Sequence, residues 1–471
     1  MRSVRAVLAA SGAAFGTSGL RGRVDDLSDA VAFAATLGFL ERAGAGPGAV
    51  LLAHDLRPSS PAIARAVAAA VRHAGHEVVF AGTIPTPALV LAGITRGRPS
   101  VMVTGSHIPF DRNGIKFHFA TGEIGKEDEA PILRCEAAVP ARIDTPALPA
   151  PDGGAETAYA IRALEAFPEV FKDMRVGLWQ HSAVGRDFNH ALFGDLGARV
   201  VPLGRSDAFV PIDTEAVSER DAAQARAWVA EHELDLLVST DGDGDRPLLA
   251  DATGTFLRGD ALGLLAARAL RADSVVTPVS STTAIERTGW FRHVERTPIG
   301  SPHVIAAMRN APGDTVAGWE ANGGFLLQTP ARVRFHELAP LPTRDAILPV
   351  LAAVALARRE GTTVAGLRES LPPRATASDR LENRPTEASR RYLETFTDER
   401  RDALLDGLGA VADTDRTDGL RMTTERDEIV HLRPSGNAPE LRVYAEAETD
   451  ERAGELVRLV RERLARALPP G

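Results

Sequence analysis

Residues 234–246 read LDLLVSTDGDGDR: an apolar run of strand type breaks into a loop in which acids alternate with glycines. The same break occurs twice more, where SVMV (100–103) runs into TGSHIPFDRNG (104–114) and TVAG (315–318) runs into WEANGG (319–324). Each is preceded by a short apolar run, a polar turn, a helix-like stretch and a second apolar run. These are AVLLAHD (49–55) through an Ala-rich stretch after Pro61 to EVVFAGTIPTP (77–87), RVGLWQHS (175–182) to ARVVPLG (198–204), and SVVTPVS (274–280) through TTAIERTG to HVERTPIGSPH (293–303). Such internal repetition predicts three similar α/β domains. Ligands of open α/β sheets bind beyond the carboxyl ends of the strands, so the three loops are expected to converge on one composite cleft.

Working outward, three segments are expected to be linkers: the Pro-rich PARIDTPALPAPDGG (140–154), a junction near Asp251, and LPPRATASD (371–379). They divide the chain into domains at 1–145, 146–251, 252–372 and 373–471. In the last, a helix is expected from about Thr386 to Leu408, then short strands in GLRMTT, EIVHLR and LRVYAEA, and a closing helix from Glu448 to Leu468. The fold class expected is therefore α/β, three similar domains with mixed sheets, completed by a smaller C-terminal α+β domain.

Composition agrees with a large globular chain. The 471 residues suit roughly three or four domains, and 42 glycines with 31 prolines are too few for low complexity. Aromatic residues make up only 5% and the formal charge is −9, with no dense Lys/Arg run, which argues against nucleic-acid partners. Any anionic ligand must be held by a few local cations. The single Cys135 excludes an internal disulfide framework and multi-cysteine zinc sites, and points to a reducing, cytoplasmic location. The longest apolar run, Ala346 to Ala357, contains Pro349 and is about half of the ~20 residues that span a bilayer, so it is expected to be a buried helix and no membrane partner is expected. The N-terminal MRSVRAVLAASGAAFG imitates a signal peptide. It is assigned to the folded chain because a site-like motif follows directly.

In DGDGDR (241–246), Asp241, Asp243 and Asp245 can turn toward one hard cation, for which Mg2+ is suited. A calcium EF-hand would need Gly and Glu where Arg246 and Ala252 stand. Taken alone the loop could equally be a solvated acidic turn. TGSHIP (104–109) places Ser106 in a tight Gly-containing turn, as a nucleophile or as a simple turn cap, and no G-x-S-x-G elbow exists to make it a hydrolase serine. His107 and Lys116 are companions for proton transfer or phosphate binding. FGTSGLRG (15–22) combines backbone donors with Arg21, and RPSGN (433–437) offers Arg433, Ser435, Gly436 and Asn437, with Arg442 on the next strand, as a phosphate grip or a hairpin turn. Glu320 and Asn322 in WEANGG are hydrogen-bonding partners for hydroxyls, or parts of an Asn-Gly turn.

Together, FGTSGLRG, TGSHIPFDRNGIKF, DGDGDRP, GWEANGG and RPSGNAPELRVYAEA, in this order across essentially the whole chain, resemble the α-D-phosphohexomutase family. The resemblance implies a phosphoserine at Ser106, and Mg2+ held by its phosphate with Asp241, Asp243 and Asp245. Arg21, Lys116 and Arg246 would surround the transferring phosphoryl group, with Lys116 the candidate acid/base. It implies sugar recognition by Glu320 and Asn322, and a grip on the non-reacting phosphate by Arg433, Ser435, Gly436, Asn437 and Arg442. The implied reaction interconverts hexose 6-phosphate and hexose 1-phosphate through a 1,6-bisphosphate that also serves as activator, with mannose and glucose phosphates preferred. A phosphoglucosamine mutase, a Mg2+-dependent sugar phosphatase and a non-catalytic sugar-phosphate sensor are the alternatives, and a monomer or homodimer is expected. The chain departs from the family's Glu-x-Ser-Gly-His loop by carrying Asn322 and Gly324 at the Ser and His positions. It also has Ser301 where some members have His, with His303 nearby. The acid/base role of those histidines is therefore absent.

Overall fold

The computed structural model describes residues 2–44, 46, 48–435 and 439–468. In each of the first three units the strand that opens the repeat lies at the centre of a parallel trio. Ala49–His54 lies between Glu77–Gly82 and Ser100–Val103, Arg175–Trp179 between Arg199–Leu203 and Leu236–Thr240, and Ser274–Pro278 between His293–Thr297 and Val316–Trp319. An antiparallel strand then follows the third member, at Arg112–Phe119, Pro247–Ala250 and Phe325–Leu327. The sheets are mixed, as expected.

Central parallel strands are covered by helices on both faces, which is why LLVST and SVVTP are buried at every residue instead of alternating. Each of the serine-, acid- and asparagine-bearing loops joins the third parallel strand to its antiparallel neighbour, so the three lie at equivalent carboxyl ends. The run at 346–357 forms the helix Ile347–Glu360, with Pro349 tolerated in its first turn and an apolar surface buried against the third unit. Among the described residues no helix is long and apolar enough to cross a membrane.

The fourth unit is an antiparallel five-stranded sheet closed by the helix Asp450–Ala467. Two expectations fail here. LPPRATASD is irregular only over 371–374: Ala375–Leu381 is a strand paired with Leu441–Ala447 over seven residues, its polar alternation concealing an edge position. The helix expected from Thr386 to Leu408 is two, Thr386–Glu394 and Asp398–Leu405, because Thr397 caps the second by accepting from the Arg400 N–H. The strand Val411–Asp415 was also illegible, having one apolar residue at its start. The segment at 140–153 is irregular, as expected, and Asp251 sits in the turn of a hairpin, Pro247–Ala250 with Phe256–Leu257, in the second sheet.

One apolar core runs through parts of all three α/β units, from Leu51 and Met102 through Phe171 and Leu236 to Trp319 and Leu351. The fourth unit has its own core around Val430, Val443 and Leu456. Its contacts with the third are polar: Glu446 accepts from the Thr282 hydroxyl and the Thr283 N–H, and Asp418 from the Ile299 N–H. The first three units therefore form one block, to which the fourth is joined by a small polar seam.

His118, paired with Ser100 in the first sheet, is fully buried, and burial pushes its imidazole down to about 4. Its proton is refused in the folded state and accepted in the unfolded one. The stability this contributes is present above the unfolded value near 6.5 and is lost as pH falls from there toward 4. The unfolding free energy obtained from urea titrations across that window should fall steadily, by on the order of 3 kcal/mol for this one group, and His118→Gln should flatten the fall.

Candidate active site

Asp55 ends the first central strand and organises the serine loop. It accepts from the Ser60 and Thr104 hydroxyls and the Gly105 N–H, while Thr104 in turn accepts from the Ser106 N–H. Arg57, fully buried, donates to the carbonyls of Ser106, Ile108, Pro109 and Arg112 and closes the loop like a staple. A Cβ at Gly105 would lie 2.5 Å from the Arg57 Cζ, so only glycine fits beneath the guanidinium. The outcome is a Ser106 held at φ 52°, a left-handed conformation that non-glycine residues adopt at a cost and that recurs at functional sites. Its Oγ donates to Asp241 Oδ2 at 2.5 Å.

Asp241, Asp243 and Asp245 are all buried, and one oxygen from each falls within 4.8 Å of the others. Their hydrogen bonds are one-sided. Asp243 uses Oδ2 for Lys116 Nζ at 2.5 Å and the Thr86 hydroxyl at 2.8 Å. Asp245 uses Oδ2 for the hydrogen bond from Lys116 Nζ at 2.6 Å, and the same oxygen is ion-paired with Arg344 Nη2 at 2.8 Å. The Oδ1 atoms of both are buried without a hydrogen-bond partner, and Asp241 Oδ1 receives the N–H groups of Asp245 and Arg246. Orphaned carboxylate oxygens beside a serine hydroxyl are an all-oxygen donor set that fits a hard divalent cation. The alternation of acids with Gly242 and Gly244 is thus a converging cage, and not a solvated turn.

Electrostatics follow from this crowding. Burial, then the two neighbouring carboxylates, push the Asp241 carboxyl well above its usual range. Burial, the largest single effect, acts the same way on Asp243 and Asp245, but Lys116, Thr86 and Arg344 together outweigh it at the first and Arg344, Lys116 and Arg246 together at the second, and both stay below theirs. Burial would lower Lys116, yet Asp243 and Asp245 hold its ammonium above the ordinary lysine value. Arg21 is lowered to about 10 by burial and by the Arg246 and Arg344 guanidiniums, the mark of a pocket crowded with positive charge. The neighbouring Arg246, then burial, drive His107 down to about 2. The His107 Nδ1 accepts from Arg246 Nη1 at 2.7 Å and lies 3.3 Å from Ser106 Oγ, so His107 is a neutral imidazole with that nitrogen engaged.

Glu320 and Asn322 occupy the turn after Val316–Trp319, both nearly buried. The Glu320 Oε2 accepts from Arg344 Nη1 at 3.2 Å, and Asn322 Oδ1 accepts from the Gly324 N–H at 3.0 Å, bracing its own turn. A cleft of about 630 Å³ joins this centre to the fourth unit; His107, Arg246, Glu215, Arg442 and Tyr444 are among its walls. Arg442 thus faces the same space as the serine and metal loops. Arg433 does not line it and is paired instead with Asp418 at 2.7 Å. The Ser435 carbonyl accepts from Thr386, while Gly436 and Asn437 lie outside the described residues. His303 is not among the lining residues of the cleft either.

Asp55, Arg57, Thr86 and Arg344 escaped the sequence reading. Asp55 carried a signal, standing at the carboxyl end of a central strand, and so did Arg344–Asp345, a charged pair wedged between apolar segments.

Models of the phosphoglucomutase/phosphomannomutase family match the chain four times: its α/β/α domain I at 12–138, domain II at 159–254, domain III at 258–375 and its C-terminal domain at 382–463. A phosphomannomutase of Salmonella muenchen is 45% identical over 464 residues, covering 96% of both chains. One of Sinorhizobium fredii is 42% identical, covering 95% of this chain and 97% of its own. The fold is shared with a phosphoglucomutase/phosphomannomutase family protein of Burkholderia thailandensis, at TM-score 0.76 and 20% identity, over 100% of this chain and 99% of that one. Serine loop, acidic cage, the turn bearing Glu320 and Asn322, and the C-terminal sheet stand in the order of the four matched domains, and the chain belongs to the phosphoglucomutase/phosphomannomutase family.

Proposed function

We propose that the chain is a phosphohexomutase in which Ser106 carries the phosphoryl group between hexose 6-phosphate and hexose 1-phosphate. The observation that carries this is Ser106 Oγ, held in a strained loop 2.5 Å from Asp241, inside a ring of Lys116, Arg21, Arg246 and Arg344. Phosphoryl transfer requires in-line placement and neutralisation of charge more than covalent chemistry. The ring supplies the second and the stapled loop the first.

In this reading residues 1–145 bear the phosphoserine, 146–251 the metal loop, 252–372 the sugar loop and 373–471 the distal phosphate grip. Mg2+ is the cation that fits the cage, with Asp241, Asp243, Asp245 and the Ser106 side chain as its ligands, and when bound it supplies charge neutralisation to the phosphoryl group. Phosphorylated Ser106 gives its phosphoryl group to the free hydroxyl of the substrate, forming hexose 1,6-bisphosphate. The bisphosphate turns end for end, and Ser106 takes back the other phosphate. Lys116, kept cationic by two carboxylates, serves as charge and as acid/base, giving a proton to the departing Ser106 Oγ and taking up the one released by the attacking sugar hydroxyl, while His107, neutral, orients Arg246 over the serine. Glu320 and Asn322 read sugar hydroxyls. Arg442, with Arg433 and the 435–437 loop, grips the phosphate that is not reacting. The polar seam of the fourth unit permits it to open for the turning bisphosphate and to close against water.

Ser106→Ala should lower turnover by roughly 10³-fold or more in a coupled assay supplied with catalytic bisphosphate; ordinary turnover in that variant contradicts the assignment. A phosphatase would instead release inorganic phosphate without bisphosphate stimulation. Asp243→Asn should cost about a hundredfold in kcat/KM while thermal unfolding shifts little, and excess chelator should silence the wild type until Mg2+ is restored. Arg442→Ala should raise KM by roughly ten- to a hundredfold with a smaller loss in kcat, from one charge-assisted contact. For specificity, kcat/KM should be similar for mannose and glucose 1-phosphates and at least about tenfold lower for glucosamine 1-phosphate; the reverse order would make the enzyme an amino-sugar mutase.

A further inference from the structure

Arg344 lies on the strand Leu341–Asp345 with its side chain 1% exposed. A guanidinium so fully removed from water is expensive, and an apolar residue of similar volume is often as stabilising at a purely structural site. Its Nε–H is buried without a partner, which adds to the cost. The fork is nonetheless spent on two acids from two different loops. Nη2 forms an ion pair with Asp245 Oδ2 at 2.8 Å in the acidic cage, and Nη1 donates to Glu320 Oε2 at 3.2 Å in the turn that bears Asn322. Nη2 also lies 3.4 Å from the Ser18 hydroxyl of the first unit.

The consequence for Asp245 is directional. Its Oδ2 is shared by Lys116 and Arg344, but Lys116 is also bonded to Asp243, so Lys116 alone does not fix the plane of the Asp245 carboxylate. Arg344 supplies the second point and leaves Oδ1 buried without a hydrogen bond, with the Arg246 Nε 3.7 Å away as its ion-pair neighbour. The hydroxyl-reading turn is fitted to the same side chain. A Cβ at Gly324 would lie 2.7 Å from the Arg344 Cδ and 2.8 Å from its Cγ, so the turn closes directly on the arginine stem and tolerates no side chain there.

We propose that Arg344 is a positioning residue that couples the two loops. It holds Asp245 in its cation-binding orientation and Glu320 in its sugar-reading orientation through one rigid fork, with Gly324 as the obligatory space for its stem. Filling either loop then steadies the other, and by linkage the effect is reciprocal. The inference rests on the metal reading of the cage.

The test is Mn2+ binding, measured by calorimetry on the full-length protein without substrate, together with steady-state kinetics in Mg2+. Arg344→Lys keeps the charge and loses the fork, Arg344→Gln loses both, and Gly324→Ala pushes on the stem while leaving the guanidinium present. Removing a partner that orients a metal ligand typically weakens the metal by roughly 10- to 100-fold. Each folded variant should therefore bind Mn2+ more weakly than wild type by at least about fivefold and show a fall in kcat beyond any rise in KM. The double variant Gly324→Ala/Arg344→Gln should be no worse than Arg344→Gln alone. If Arg344→Gln fails to fold, Arg344→Lys and Gly324→Ala carry the test, since neither removes the buried cation. Wild type and Asp243→Asn separate the two claims. A wild type that binds no Mn2+ overturns the metal reading and this inference with it. A wild type that binds, with Asp243→Asn impaired and the Arg344 and Gly324 variants within about fivefold of wild type, overturns the inference alone.

Discussion

Three carboxylates buried within 4.8 Å of one another repel, and the rest of the molecule is arranged to offset that repulsion. Each buried ion costs several kcal/mol unless cations and hydrogen bonds compensate it. No single unit contains the compensation. Lys116 comes from the first sheet, Arg246 from the acidic loop itself, and Arg344 from the third sheet. Thr86, opening a helix of the first unit, donates to Asp243. The acidic loop is therefore stable in this form only when three units are docked, and the apolar core they share is what docks them. The same oxygens that are left over after compensation are the ones available to a cation.

Rigidity and mobility are partitioned accordingly. The serine loop has almost no freedom, since Arg57 and Asp55 satisfy its backbone from both sides and hold Ser106 in a left-handed conformation. Such preorganisation places Oγ before any substrate arrives and costs no rearrangement during transfer. The fourth unit contrasts with this. Its core is separate, its seam is a few polar contacts around Glu446 and Asp418, and it supplies Arg442 and Tyr444 to the far wall of the cleft. A substrate that must bind in two reversed directions is served by one fixed reactive wall and one adjustable wall.

Much of this was legible because the fold repeats. Three breaks from strand to loop, at 103/104, 240/241 and 318/319, announce three equivalent strands, and the chemistry sits immediately after each. DGDGDR is the sharpest local signal, though only the burial of its acids separates a cation cage from a solvated turn. What escaped were residues whose meaning arises only from packing. Arg57 stands in an unremarkable sequence context, and although the Arg344–Asp345 pair between apolar segments hints at burial, only the folded chain shows both arginines to be buried and bonded across loops. The C-terminal unit was harder because its strands are half exposed. Ala375–Leu381 alternates weakly and follows two prolines, so it resembled a linker, and Val411–Asp415 lacks an apolar face. The break at Thr395–Thr397 depends on one hydroxyl cap inside a polar helix, which periodicity does not reveal.

The most direct test of the central claim, that Ser106 is the phosphoryl carrier, is a rapid-quench single turnover with hexose 1,6-bisphosphate labelled in its phosphates, followed by peptide mass spectrometry. Label should appear on the peptide containing Ser106 and pass to added hexose phosphate at a rate at least equal to kcat. Label on another residue, or transfer to sugar faster than Ser106 acquires and loses it, would contradict the account.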